Sequence, residues 1–277
     1  MTQPLAAFVL TQSAFAVDAA VVARKVGERF AHLGIRAEVH GAAPPGSTHY
    51  AIAVDGLVVT VRYAGELIPH DLLTGFAPHL FEAEPPPLAH RDRAIIMPLD
   101  DVAEGHAPTV RAALAVLRVA AILAEGDEAT AVCWVPSAIL MSAAFFTQVF
   151  ADSAEPGEVP IALLNRFVPY EGEAEGGFES QAGLAVFGLH RFIGCDIEFT
   201  PTDLPINLVA QWALDASNWL LLKGPIFADG DTCGGSETEI IRIRHVERGR
   251  ISPYPVLALT IETLDPSDLT KSAMWSN

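Results

Sequence analysis

Residues 50–63 read YAIAVDGLVVTVRY, two apolar runs separated by the dipeptide Asp55-Gly56. Both runs are typical of β-strands, and each has the length of a strand in a globular protein. Asp-Gly between two such runs is the strongest short signal of a two-residue hairpin turn. We therefore predict an antiparallel pair of strands at residues 50–54 and 57–63.

The sequence before this hairpin predicts a strand, a helix and a further strand. Residues 5–11 form a short apolar run that suits a buried strand. A helical segment then begins at Asp18 and ends at Gly34. Its apolar residues recur every three or four positions, at Val22, Val26, Phe30 and Leu33. Residues 36–40 complete a β-α-β-β-β opening.

The triplet Pro85-Pro86-Pro87 follows, which is stiff and lacks backbone donors. It predicts a module boundary, with an N-terminal α+β module at residues 1–88 and a C-terminal α+β module at residues 89–277. Strands are predicted at 94–97, 131–135, 161–168, 197–199, 240–246 and 256–261, and helices at 109–125, 137–150 and 205–223. Residues 171–179 hold four glutamates and three glycines and are predicted to be an exposed loop.

The order of these elements favours an α+β fold. Several strands are joined by hairpins, and helices lie between the groups of strands, which indicates one or more mixed, largely antiparallel sheets with packed helices. Two related α/β modules are an alternative description of the same pattern. A length of 277 residues is sufficient for one large domain or two small ones.

The charge of the chain limits its partners. Asp and Glu number 34 against 17 Lys and Arg, a formal charge of -17. Such a surface repels phosphates and anionic lipids, so we expect neither nucleic acid nor a membrane as a partner. An acidic surface suits a basic protein partner, although the same charge also keeps an apolar-rich chain soluble.

The cysteines and the N-terminus indicate the cytoplasm. Cys133, Cys195 and Cys233 have neither the number nor the spacing of a disulfide framework or a zinc site. The first residues, Met1-Thr2-Gln3-Pro4, lack the basic region of a signal peptide. The apolar stretch at residues 110–124 contains Arg111 and Arg118 and is shorter than the ~20 residues of a membrane span, so we expect a buried helix.

The last third of the chain contains a pattern that resembles a known bacterial family. Its residues are Gly188-Leu189, Phe192, Gly194 and residues 196–199, followed about thirty residues later by residues 229–234. The pattern resembles the domain of unknown function 4261, over residues 183–261, with weaker similarity at Cys133-Trp134 and Ser137. Ile193 separates a Phe and a Gly that adjoin in the family. The resemblance implies no chemistry; it suggests an accessory protein of bacterial defence, competition or secretion.

Part of this segment is similar to a calcium-binding loop. Asp229, Asp231 and Gly234 occupy its first, third and sixth positions, whereas Cys233 and Ile240 occupy the fifth and twelfth. The bidentate glutamate is therefore missing, although Glu237 and Glu239 are close in sequence. The alternative is a helix-to-strand loop whose Asp and Thr side chains, including Thr232, bond to nearby amides.

A second group of carboxylates precedes this loop. Asp196 and Glu198 share one face of a predicted strand, because side chains alternate along a strand. If the strand ends beside the loop, Asp196, Glu198, Asp229 and Asp231 form a metal or acid/base site. The other interpretation, which we favour, is a solvated strand face.

The familiar catalytic motifs are absent from the sequence. It contains no H-E-x-x-H, G-x-S-x-G, Walker loop or G-x-G-x-x-G, so we expect no cofactor, and the metal content stays open. Cys133 and Trp134 lie in an apolar strand, where a core cysteine is the simpler interpretation. The candidate binding residues are Asp196, Glu198, Asp229, Asp231, Thr232 and Trp134.

Two functions fit these observations. The first is a non-enzymatic acidic protein that binds a basic protein partner, of the immunity or secretion-accessory kind. The second is a metal-dependent hydrolase that uses the carboxylate cluster. The sequence leaves the partner, any substrate and the oligomeric state open.

Overall fold

The computed structural model describes residues 4–14, 16–86, 88–153, 159–173, 180–234 and 240–263. The chain forms two compact units, residues Met1–Leu164 and Asn165–Asn277. Both combine helices with a mixed, mostly antiparallel sheet, of eight strands in the first unit and six in the second. The predicted α+β class is therefore confirmed.

The boundary between the units differs from the predicted one near residue 88. The strands on either side of the proline triplet, Leu57–Ala64 and Asp92–Pro98, pair with each other over six residues, from Val59–Pro98 to Ala64–Arg93. The triplet therefore lies within a connection between two neighbouring strands of one sheet. A stiff, donor-free stretch marks a break in regular structure, which is not always a break between domains.

In the first unit the elements follow in the order β1 (Ala7–Thr11), α1 (Ala19–Arg29), β2 (Ala37–His40), β3 (His49–Val54), β4 (Leu57–Ala64), α2 (His70–Leu73), β5 (Ala77–Pro78), β6 (Asp92–Pro98), α3 (His106–Ala124), β7 (Ala129–Trp134), β8 (Ile139–Ser142), α4 (Ala143–Asp152) and α5 (Ile161–Leu164). The strand order in the sheet is β2-β3-β4-β6-β1-β7-β8-β5. Among the described strands of this first sheet, only the short edge pair of β5 and β8 is parallel.

The predicted hairpin is present. Strands β3 and β4 pair antiparallel from His49–Arg62 to Val54–Leu57. The two turn residues both have positive φ, 50° at Asp55 and 79° at Gly56. This geometry matches the right-handed twist of the strands and requires residues that tolerate the left-handed region.

Helices α1, α3 and α4 pack on one face of this sheet. The other face is covered over β1, β7 and β8 by the connecting segment, which we define as residues 65–91 apart from residue 87. Its buried Ile68 and Leu73 pack with Leu10, Cys133 and Leu140 of the strands. Over these three strands the sheet is thus enclosed between a helical layer and the connecting segment, which also contains α2 and the edge strand β5.

Helix α3 is the central helix of the first unit. Its 19 residues are long and apolar enough to cross a membrane by length and composition. Most of them are buried, and the helix contacts β1, β4, β6 and β7. The prediction of a buried core helix at this position is confirmed, because the apolar side chains that would face lipid instead pack on the sheet.

Two predicted elements are wrong in part. Residues 137–150 were expected to be one helix, but Ile139–Ser142 pairs with β7 as strand β8, and helix α4 begins only after Ser142, whose hydroxyl accepts from the amide of Phe145. Residues 161–168 were expected to be a strand, but they begin as the short helix α5. Short apolar runs fit the interior of either element, so composition alone does not decide between them.

In the second unit the elements are β9 (Arg166–Glu173), β10 (Ser180–Phe187), α6 (His190–Ile193), β11 (Asp196–Thr202), α7 (Ile206–Lys223), β12 (Thr232–Cys233), β13 (Ile240–Val246) and β14 (Val256–Thr263). The strand order is β12-β13-β14-β11-β10-β9, in which only β11 and β14 pair parallel. The predicted loop at 171–179 is strand as far as Glu173, and its remaining residues before Ser180 lie outside the described part of the chain.

The strands of this sheet alternate between two faces. One face is apolar and buried, with aligned side chains that include Leu184, Val186, Ile197, Phe199, Leu257 and Leu259. Helix α7, which ends at Gly224 with φ of 88°, contacts β10 and β11. The opposite face of β11 carries Asp196 and Glu198, two of the predicted binding residues.

Candidate functional site

Asp196 and Glu198 lie in β11, which has β10 on one side and β14 on the other. They share a face, as predicted, but that face is not solvated: Asp196 is 0% exposed and Glu198 is 3% exposed. The expectation of a solvated face is therefore wrong. Alternation along a strand determines which residues share a face, but not what covers that face.

Asp196 is bound by donors from two separate segments. Its Oδ1 accepts from the amides of Gly188 and His190, both at 3.0 Å, and lies 3.3 Å from His190 Nδ1. Its Oδ2 accepts from the hydroxyl of Ser252 at 2.9 Å. The carboxylate therefore fixes the turn that begins α6 to the segment before β14.

Glu198 is bound by three consecutive backbone amides. Its Oε2 accepts from Arg250 at 2.7 Å, and its Oε1 accepts from Ile251 at 3.1 Å and from Ser252 at 2.8 Å. Such charge-assisted bonds are what allow a carboxylate to be buried. Residues 249–254, which we call the capping loop, thus cross the polar face of the sheet and close over it.

Gly249 is where the capping loop comes closest to the carboxylate. A Cβ at this position would lie 2.8 Å from Val256 Cγ1 and in conflict with the Glu198 carboxylate. Tyr254, at the other end of the loop, stacks on His190 with ring centroids 3.7 Å apart and planes 14° apart. The loop is held at both ends and in the middle.

Two ionisable groups near Asp196 and Glu198 have raised pKa values, which favour their neutral forms. Burial, with a smaller contribution from the negative charge of Asp196, raises the pKa of the Cys195 thiol to about 11. Burial and the charge of Glu198 raise the pKa of Tyr170 to about 12, against the opposing effect of Arg250. Neither group is an activated nucleophile at neutral pH, because the reactive form of each is the anion.

Ser252, Asp196 and His190 do not have the arrangement of a hydrolase triad. In a triad the hydroxyl donates to the imidazole, and the carboxylate binds the far side of the imidazole. Here the Ser252 hydroxyl donates to Asp196 itself, and it also accepts from the amide of Tyr254 at 3.2 Å. The carboxylate is the centre of the cluster, which is the arrangement of a structural anchor.

Asp229 and Asp231 lie in the turn between α7 and β13. Asp229 Oδ1 accepts from the amide of His245 at 2.8 Å, and Asp231 Oδ2 accepts from the amide of Ala228 at 2.7 Å. Thr232 is exposed and starts β12. The bond of Asp231 corresponds to the loop interpretation, in which side chains bond to nearby amides, whereas Asp229 binds an amide of β13.

The structure gives the two pairs of carboxylates separate partners. Asp196 and Glu198 belong to β11, whereas the Asp229 turn is bound to β13, on the far side of β14. Within the described ranges, no group of three or more His, Cys, Asp or Glu residues is arranged to hold a metal ion. Glu237 and Glu239, the remaining acidic neighbours, lie outside those ranges.

Trp134 belongs to the first unit. It is 0% exposed in β7, aligned with Ala7 of β1 and Ile139 of β8. Cys133 beside it is also fully buried, and burial raises the pKa of its thiol to about 12. Both residues are parts of the core, so neither is available to a partner.

A cleft of about 300 Å³ lies in the first unit at the β3–β4 hairpin. Its floor is apolar and includes Leu57, Val59, Pro98 and Ala112. Its rim carries charges of both signs, from Asp100 and Asp101 in the loop after β6 and from Arg111 in α3. This loop carries no recognised motif, and its two adjacent aspartates are the one feature of its sequence that points to a site.

The outer side of the connecting segment is apolar and exposed. Five of the eleven large hydrophobic side chains that are exposed in the described residues belong to it. They are Leu67, Leu72, Leu80, Phe81 and Leu88. Leu67 and Leu72 are the most exposed of all, at 60% each. No regular structure was predicted for residues 65–91, so this surface was not predicted either.

The comparisons with known proteins bear on the second unit only. The family model described as Domain of unknown function (DUF4261) matches residues 186–260. Residues 186–260 are a DUF4261 domain. The resemblance expected from the sequence is thereby confirmed for this part of the chain. Neither curated proteins nor solved structures gave a match.

The DUF4261 segment contains every group that holds Asp196 and Glu198. The donors at 188–190 and 250–252 lie near its two ends, and the carboxylates lie between them. Ile193, which the sequence resemblance suggests is an additional residue, is the last residue of helix α6, and Gly194 follows with φ of 86°. The glycine thus has the left-handed conformation that commonly ends a helix.

Proposed function

We propose that this chain is a non-enzymatic, acidic protein that binds a basic protein partner through the connecting segment of its first unit. The observation that carries the proposal is the exposure of apolar side chains on that segment. Leu67 and Leu72 are each 60% exposed although their neighbours Ile68 and Leu73 are buried in the core. Five large apolar side chains are exposed within this one segment, which favours an interaction surface over singly scattered exposure.

The segment is well suited to present these side chains. Its inner residues are packed against β1, β7 and β8. Its Glu82 is also tied to β8, because the Glu82 carboxylate accepts from the amide of Ser142 at 3.0 Å and 3.2 Å. The outward residues are therefore held on a fixed support. A preorganised apolar surface loses less entropy on binding than a mobile one.

The charge of the chain supports a basic partner. Exposed Glu66 and Glu84 flank the apolar side chains, within a chain whose formal charge is -17. Apolar anchors at an interface supply most of the affinity, and complementary charge speeds association and selects the partner. The same charge argues against nucleic acid and membranes as partners.

The chemistry of the DUF4261 segment supports a non-enzymatic role. Asp196 and Glu198 have all four carboxylate oxygens engaged by donors of the chain itself. A carboxylate that is saturated in this way is not available as a metal ligand or a general base. Their position in the segment fits a role in holding the fold.

We further propose the immunity or secretion-accessory kind of function, with the protein in the cytoplasm. The kind of function is suggested by the resemblance to the DUF4261 family. The location is supported by Cys133, Cys195 and Cys233, all of which are free thiols. Intracellular proteins keep their cysteines reduced.

The proposal is tested by affinity capture with the full chain as bait, at low and at high salt. The partner, identified by mass spectrometry, is purified and its dissociation constant is measured directly. We expect a basic protein whose affinity falls with rising salt. Leu72→Asp should weaken binding about tenfold or more, as for a central apolar anchor.

Leu222→Asp is the matched control, because Leu222 is also exposed, at 40%, but lies at the end of α7 in the second unit. It adds the same charge and removes the same side chain, and should leave the affinity unchanged. The proposal is wrong if no partner is captured at either salt concentration, or if both variants bind as the wild type does.

A further inference from the structure

The cleft beside the β3–β4 hairpin has a combination of groups that the proposed function does not use. Its floor is formed by apolar residues of the hairpin and of α3, among them Val59, Ala112 and Ala115. Val59 and both alanines are almost completely buried, so the floor is part of the packed core and has a fixed shape. A fixed apolar floor with a few polar groups is the usual composition of a small-molecule site.

The charged groups on the rim are free to act on a ligand. Asp100, Asp101 and Arg111 are exposed, and none of them is in an ion pair or a side-chain hydrogen bond among the described residues. The aspartates belong to the loop after β6, and Arg111 belongs to α3. Opposite charges therefore come from two different elements around one cleft.

The volume of the cleft limits the ligand. At about 300 Å³ it is at the lower end of the range for ligand pockets, roughly 300–1,000 Å³. A cleft at this end of the range favours a small ligand, such as one with the apolar side chain of a branched-chain amino acid.

We propose that this cleft binds a small zwitterion with an apolar body, of the size of a branched-chain amino acid. The ammonium group lies at Asp100 and Asp101, the carboxylate lies at Arg111, and the apolar body packs on the half-buried Leu57, Pro98 and Pro108. Arg111 suits the carboxylate because its planar guanidinium can bind both oxygens. This inference does not depend on the proposed protein partner.

The test uses three probes and the full chain. L-leucine carries both charges, 3-methylbutylamine lacks the carboxylate, and 4-methylpentanoate lacks the ammonium group. Binding is followed by amide chemical shifts in ¹⁵N-labelled protein. With leucine we expect saturable shifts at the amides of Val58, Val102 and Ala112. The dissociation constant of each fragment should be about tenfold higher or more, because each fragment lacks one charged contact.

Variants identify the two ends of the site. The double change Asp100→Asn with Asp101→Asn should lower the affinity for leucine and 3-methylbutylamine about tenfold. It should not lower the affinity for 4-methylpentanoate, because it removes two negative charges that repel this anion. Arg111→Gln should instead lower the affinity for leucine and for 4-methylpentanoate. Glu104→Gln is the control, since Glu104 lies exposed in the same loop but does not line the cleft.

The inference is overturned if leucine gives no saturable shifts at the cleft, if either fragment binds as tightly as leucine, or if Glu104→Gln weakens leucine as much as the double change does. The substitutions are at exposed positions, so folding is checked for each variant from the same amide spectrum. Failure here leaves the protein-binding proposal untouched, because that proposal concerns the connecting segment.

Discussion

Glu198 is the residue on which the polar side of the second sheet depends. A buried carboxylate is stable only when donors replace the water that it loses, and Glu198 obtains three from one turn of chain, residues 250–252. The bonds act in both directions, because amides that bind the carboxylate also fix the path of the capping loop. Charge and loop geometry therefore depend on each other.

Replacing Glu198 with Gln should destabilise the protein by about 2–3 kcal/mol, since the variant loses the charge and turns an NH₂ group towards an amide donor. Urea-induced unfolding measures the change. Glu247→Gln serves as the control, because Glu247 is an exposed carboxylate just before the capping loop, and a change within about 0.5 kcal/mol is expected there. Equal stability of the two variants would contradict a structural role for Glu198.

Gly249→Ala tests the close approach of the capping loop. The added methyl group would lie 2.8 Å from Val256 Cγ1 and would meet the Glu198 carboxylate. We expect a loss of about 1–3 kcal/mol in unfolding free energy. Gly65→Ala is the matched substitution, as no heavy atom lies within 4 Å of a Cβ at that position. A Gly249 variant as stable as the Gly65 variant would show that the loop is loosely held.

The sequence identified Asp196 and Glu198 but not their environment. Alternation in a strand placed them on one face, which the structure bears out. Their donors come from residues more than fifty positions further along the chain as well as from the turn before β11. Long-range contacts of this kind follow from the packing of the whole sheet, and no local pattern in one sequence indicates them.

At the scale of elements, the β3–β4 hairpin was fully predictable, because its turn needs two residues with positive φ and Asp-Gly supplies them. Gly56→Ala should cost about 1–2 kcal/mol, since alanine at a φ of 79° meets its own carbonyl. Asp55→Asn, which tolerates the left-handed region, should stay within about 0.5 kcal/mol of the wild type in the same urea experiment. A larger loss of stability in Asp55→Asn than in Gly56→Ala would exclude this turn geometry.

The middle of the connecting segment depends on His79. This imidazole is 3% exposed, its Nδ1 accepts from the amide of Phe81 at 3.1 Å, and its Nε2 lies 2.6 Å from the carbonyl of Ala162. Phe145 of α4 packs on the ring, with centroids 4.9 Å apart. Burial lowers the pKa of His79 below its usual value, so the folded protein holds the neutral form.

Stability should consequently fall with acidification. Below the pKa of histidine in the unfolded chain, about 6.5, the imidazole is protonated in the unfolded state but not in the folded state. The unfolding free energy therefore decreases on acidification, by at most about 1.4 kcal/mol per pH unit. The decrease ends when the pH falls below the lowered pKa of His79 in the folded protein. Urea unfolding at about pH 7.5 and about pH 5.5 measures this loss. His79→Gln should lose less than the wild type over that interval. An identical loss in both proteins would remove His79 as the cause.

The elements that the sequence missed share a physical reason. Strand β8 and helix α5 are each four residues long, and their apolar residues suit a strand or a helix equally well. The long helices α3 and α7 have distinct ends and several turns of apolar pattern, and both were predicted. The connecting segment has no period at all, because its structure comes from packing on the sheet.

At the scale of the whole molecule, the division between Leu164 and Asn165 makes a prediction about folding. Residues 1–164 should fold as a separate segment, because the first sheet is complete within them. Residues 1–88 should not, because β6 and β7, the two neighbours of β1, come later in the chain. Amide spectra of the two segments distinguish the cases: dispersed signals from residues 1–88 would contradict the observed strand order.

Function at this scale depends on which surface meets the partner. The apolar side chains of the connecting segment, the acidic charge of the chain and the saturated carboxylates of the DUF4261 segment together favour binding through the first unit. The most direct measurement is amide hydrogen exchange of the full chain with and without the captured partner. We predict slower exchange in the described residues of the connecting segment and unchanged exchange in the capping loop. Protection confined to the capping loop, with the connecting segment unchanged, would contradict the account.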